Sequence, residues 1–101
     1  MQDTSFKNRV ILVVDDEERM ARFIRLNLEQ DGFQVVEAYR GLDAIHQLRD
    51  SMPDVVVLDI MLPDIDGFEV LRMIREISSV PVIMLTAKGE EDDRVRGLEL
   101  G

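Results

Sequence analysis

Three aspartates carry the clearest chemical signal in the chain. Asp15 and Asp16 end the apolar run Val10-Ile11-Leu12-Val13-Val14, and Asp59 ends a second run, Val55-Val56-Val57-Leu58. A carboxylate can accept a transferred group, move a proton or hold a cation. If the two runs are neighbouring strands, three carboxylates meet at one edge. Three like charges so close are unfavourable alone, so one holds a proton or a cation intervenes. Oxygen-only ligands suit a hard ion. With few protein ligands and water filling the rest, Mg²⁺ or Mn²⁺ fits better than Ca²⁺. A plainer reading stands beside this one: acids after strands can simply begin helices, and Asp16 sits where an N-cap belongs. That reading is weaker for Asp59, because Ile60, Met61 and Leu62 follow it rather than a helix.

The elements that must position these acids alternate in type. Continuous β-branched runs such as Val10–Val14 fit strands buried on both faces. Met20, Phe23, Ile24 and Leu28 then repeat with helical spacing, and Asp31-Gly32 supplies a stop. Phe33–Ala38 reads as a second strand. Gly41, Ala44, Ile45 and Leu48 mark a helix that ends before Pro53. After the strand ending at Asp59, a loop runs from Ile60 to Ile65. Asp66 is placed as an N-cap, with Glu69 in a capping-box arrangement, and Val70, Leu71, Ile74 and Ile77 form the buried stripe. Pro81–Leu85 is the last apolar strand, ending at Thr86-Ala87, and a helix is expected over 90–100. Four strand–helix alternations predict an α/β chain with a parallel sheet covered on both faces and right-handed crossovers. In such open sheets, ligands bind beyond the carboxyl ends of the strands, where the acids lie.

Composition narrows the classes. The chain has 101 residues, which fits one domain, and it lacks cysteine, so disulfides and thiolate metal sites are out. Its net charge of -9 disfavours nucleic-acid binding by this segment and favours a cation or a basic partner surface. No signal peptide is visible at the N-terminus, and no apolar run is long enough to span a bilayer. A reducing cytoplasm fits.

In order, Val13-Val14-Asp15-Asp16-Glu17, Val57-Leu58-Asp59-Ile60-Met61-Leu62-Pro63 with Asp66-Gly67, and Pro81-Val82-Ile83-Met84-Leu85-Thr86-Ala87 resemble the motifs of response-regulator receiver domains of two-component signalling. The match runs from about Val10 to Gly101. The resemblance implies a flavodoxin-like doubly wound sheet of strand order 2-1-3-4, with residues 1–8 as a leader and 9–101 as a receiver domain. It implies that Asp59 takes a phosphoryl group from a phosphohistidine on a sensor histidine kinase. Asp16, Asp59 and the Met61 backbone carbonyl would coordinate Mg²⁺ (or Mn²⁺), with Asp15 acting through a bound water. Thr86 would bond the phosphoryl oxygens and Ala87 would leave room beside them. Pro63, Asp66 and Gly67 would shape the loop. Such a domain is not an enzyme on other substrates; it assists its own phosphotransfer and dephosphorylation. It relays the signal to an attached effector, for which the resemblance leans towards a winged-helix DNA-binding domain.

The family also carries a lysine at the end of a fifth strand and usually an aromatic switch residue within it. The chain stops at Gly101, so a fifth strand and helix are expected to be missing, and Lys88 lies in the wrong loop to replace that lysine. An open edge at the fourth strand would then invite dimerisation or strand exchange.

Other readings fit less well. A haloacid-dehalogenase-type phosphatase uses D-x-D after its first strand, whereas Glu17 stands two beyond Asp15. A flavodoxin-like nucleotide or flavin binder needs a phosphate cradle where this chain has Asp15-Asp16-Glu17-Glu18. A calcium loop with Gly67 at its sixth position would begin at Leu62 and end at Met73, not at carboxylates. His46, the single histidine, has no evident partner for a phosphohistidine role.

Overall fold

The structure, a computed structural model, describes residues 9–85. The order of elements is β1 (Val10–Val14), α1 (Glu18–Gln30), β2 (Gln34–Ala38), α2 (Gly41–Ser51), β3 (Val55–Asp59), α3 (Gly67–Ile77) and β4 (Val82–Leu85). The helix expected over 90–100 lies outside the described residues. All pairings are parallel, and the strand order is β2-β1-β3-β4. The flavodoxin-like order implied by the resemblance is thus observed.

The continuous apolar runs are explained by what covers each face. Successive side chains of a strand point to opposite faces. Leu12, Val14, Val56, Leu58, Val82 and Met84 point to the side where α2 and α3 pack, meeting Ala44, Leu48, Val70, Leu71 and Ile74 in the main core. Ile11 and Val13 point the other way, to a smaller cluster with Ala21 of α1, joined by Ile24, Leu28, Val35, Val55 and Val57. Strands sandwiched in this way cannot alternate apolar with polar.

Three helix details differ from expectation. The buried line of α1 runs through Ala21, Ile24 and Leu28, while Met20 and Phe23 are 43% and 64% exposed. Fully buried Ala21 lets the helix backbone approach the sheet, and that contact line turns the two bulky residues outward. Ile77 at the end of α3 is likewise exposed. Asp66 does cap α3, accepting the Phe68 N–H at 2.8 Å, but Glu69 pairs with Arg72 instead of closing a capping box. The strand limits also move by one residue: Phe33 precedes β2 and Pro81 precedes β4.

Helix α2 ends at Met52, whose φ of 47° is left-handed, and Pro53 follows it. A cavity of about 460 Å³ between the far ends of α2 and α3 is lined by Leu48, Arg49, Met52, Pro53, Ile77 and Ser78. It contains none of the acids singled out above. No helix among the described residues is long and apolar enough to cross a membrane.

Candidate functional site

Strand register decides where the acids meet. Val14 pairs with Leu58 across the central β1–β3 ladder, so the residues that follow, Asp15 and Asp59, emerge side by side at the carboxyl edge. The Asp15 N–H donates to the Ala38 carbonyl at 3.0 Å, which holds the exit of β1 against β2. Asp16 joins from the next position. One carboxylate oxygen from each of Asp15, Asp16 and Asp59 lies within 4.8 Å of the others. Asp15 and Asp59 are buried, whereas Asp16 is exposed and opens the cluster to solvent. Asp16 does not cap α1: the cap position belongs to Glu17, and no side chain there bonds the helix.

The electrostatics are those of crowded acids. Burial is the main cause that lifts the Asp59 carboxyl to about 6, and the neighbouring charges of Asp15 and Asp16 add to it. The Met61 N–H, donating to Asp59 Oδ1 at 3.2 Å, works in the opposite direction. Asp15 is also raised, again chiefly by burial, although its Oδ1 accepts the Glu17 N–H at 2.9 Å. A site that strains to hold its own negative charge is relieved by a proton or a cation. Three oxygen donors, with one face open to water, fit a small hard divalent ion.

The loop between β3 and α3 is drawn tightly under the site. The Gly67 N–H donates to the Ile60 carbonyl at 2.8 Å. A Cβ on Gly67 would fall 2.6 Å from both the Asp59 carbonyl oxygen and Ile60 Cα, so the close approach requires glycine. Met61 and Pro63 are exposed at the loop's surface. Thr86 and Ala87 lie outside the described residues, as does Lys88. His46 is exposed on α2 and takes no part in the acidic cluster.

One residue of this region escaped the sequence reading. The Asp64 carboxylate accepts the Gly41 N–H at 2.8 Å and the Leu42 N–H at 3.0 Å, capping α2 from a loop 22–23 residues away. The available signal was negative: α2 begins after Arg40, which offers no side-chain acceptor for its first N–H groups.

Comparison with known proteins agrees with this arrangement. Residues 11–101 match the response regulator receiver domain family. Among solved structures, the receiver domain of the Francisella response regulator 1452 is 33% identical, with a TM-score of 0.81, over 93% of this chain and 78% of that one. The non-phosphorylated HemR receiver domain from Leptospira biflexa is 36% identical, with a TM-score of 0.78, over 93% of this chain and 77% of that one. The BeF3-activated N-terminal receiver domain of Klebsiella pneumoniae RstA is 31% identical, with a TM-score of 0.82, over 92% of this chain and 80% of that one. With the strand order, the acidic edge and the family match in agreement, the chain belongs to the receiver domains of response regulators.

Proposed function

We propose that Asp59 is the phosphoacceptor of this receiver domain. The observation that carries the reading is a buried carboxylate at the carboxyl edge of central strand β3, with a carboxylate oxygen of each of two further acids within 4.8 Å of it. In the proposed reaction a carboxylate oxygen of Asp59 attacks phosphorus on a phosphohistidine of a sensor kinase. The P–N bond breaks, and the imidazole nitrogen leaves with the electron pair. Phosphoryl transfer asks mainly for in-line positioning and charge neutralisation, and the burial of Asp59 in a fixed strand end supplies the first.

Asp15, Asp16, Asp59 and the Met61 carbonyl are the groups that would hold Mg²⁺ or Mn²⁺. When bound, the ion offsets the repulsion between these acids and an anionic donor. Pro63, Asp66 and Gly67 shape the loop beneath it. Thr86 is assigned the hydroxyl that bonds the transferred phosphoryl group, and Ala87 the small neighbour that leaves space for it. The added charge then biases an attached effector, for which a winged-helix DNA-binding domain is the best match to the resemblance.

The test is incubation with acetyl phosphate and Mg²⁺, read by intact-mass spectrometry. One phosphoryl group is expected on the parent and on His46→Ala, and none on Asp59→Ala. Label retained in Asp59→Ala would remove the assignment.

A further inference from the structure

We infer that Asp64 is a positioning residue: by capping α2 it fixes the loop that carries the Met61 carbonyl, so that the metal site is preformed by a contact between that loop and the start of α2. The inference rests on the metal-assisted reading above. Its basis is how the loop from Ile60 to Asp66 is held. The two roots are closed by backbone bonds, Ile60 N–H to the Leu85 carbonyl at 3.0 Å and Gly67 N–H to the Ile60 carbonyl at 2.8 Å. Between those roots, the loop's hydrogen bonds to α2 are the two accepted by the Asp64 carboxylate. Packing follows the same line. A Cβ on Gly41 would fall 2.6 Å from Ile65 Cγ1, so the first residue of α2 lies directly against the loop residue after Asp64.

The contact runs in both directions. Helix α2 has no side-chain cap of its own, so its two leading N–H groups depend on the loop. The loop, in turn, takes its depth from a helix anchored in the main core through Ala44 and Leu48. Met61, three positions before Asp64, is 55% exposed and has no side-chain burial to fix its backbone. Placing its carbonyl then depends on its neighbours: the Met61 N–H bond to Asp59, the packing of Ile60, Leu62 and Ile65 against the main core, and the two bonds that Asp64 accepts from α2. Asp64 touches no reacting atom; it acts through the loop.

The experiment measures Mn²⁺ affinity of the chain by the electron paramagnetic resonance signal of the free ion, in the parent and three variants. Asp64→Ala is expected to weaken binding about tenfold, the scale on which outer supports of a metal site act. Asp64→Asn, which still offers a cap oxygen, is expected to recover most of that loss. His46→Gly weakens α2 at an exposed position away from the loop and is expected to lower the melting temperature without changing affinity. If the parent binds Mn²⁺ but Asp64→Ala binds it equally well, or if His46→Gly loses as much affinity as Asp64→Ala, Asp64 merely stabilises the helix and the inference fails. A parent that binds no Mn²⁺ overturns the metal reading itself, and this inference with it.

Discussion

Replacing Asp59 by asparagine should stabilise the metal-free protein at neutral pH. The buried carboxyl is raised from 3.8 to about 6. A carboxylate raised on folding is penalised wherever it must be ionised, so the penalty is complete above about pH 6 and vanishes below about pH 4. At about 1.4 kcal/mol per pKa unit, the rise corresponds to a full penalty of about 3 kcal/mol. Water reaches the cluster through exposed Asp16, so a gain of about 1–3 kcal/mol is the reasonable expectation for Asp59→Asn above pH 7. The isosteric amide oxygen can still accept the Met61 N–H, which keeps the loop contact out of the comparison. Urea unfolding of both proteins from pH 4 to pH 8, without divalent ions, measures the difference. It should be largest at pH 7–8 and close towards pH 4. Millimolar Mg²⁺ at pH 7.5 should stabilise the parent more than the variant. A variant that is less stable at pH 7.5, or a difference independent of pH, would refute the claim that crowded, buried charge dominates this site.

A tight glycine and a half-buried ion pair give two further predictions. Gly67→Ala places a methyl against the Asp59 and Ile60 backbone and should cost about 1–3 kcal/mol, read by urea unfolding; an unchanged midpoint would show that the loop can move away. Arg25 of α1 pairs with Glu37 of β2 at 2.7 Å, the Glu37 side chain being only 9% exposed. Arg25→Met should therefore cost about 1–3 kcal/mol by leaving that carboxylate buried without a cation, and Arg25→Met with Glu37→Met should cost less than the single change. A double-mutant cycle with no coupling between the two positions would contradict this.

The fold was legible because the central strands β1 and β3 are covered on both faces. Val10–Val14 and Val55–Leu58 contain no polar residue to confuse their period, and each ends in an acid that marks the sheet edge. The helices were legible in place but less so in rotation. Met20 and Phe23 fit a helical stripe by spacing, yet the contact line passes through Ala21, whose small size carries little weight in a hydrophobic pattern although it sets how near α1 lies to the sheet. A residue that acts by being small is nearly silent in such a reading, and so is an exposed apolar residue one position round from the true face.

The acidic cluster could be anticipated for a related reason: register turns sequence into proximity. Once β1 and β3 are adjacent and parallel, the residues just past Val14 and Leu58 must meet, and Asp15, Asp16 and Asp59 follow. Asp64 obeys no such rule. It lies in a loop, it repeats with nothing, and its partners are backbone N–H groups, which look the same in every residue. What the sequence does record is the missing half of that contact, a helix that starts after Arg40 with no acceptor of its own. Buried or not, the leading N–H groups of a helix need a partner. An uncapped helix start beside an acid-bearing loop is therefore a pattern to search for. Here it identifies the residue that ties the loop after Asp59 to the start of α2, a contact that spacing along the chain could not reveal.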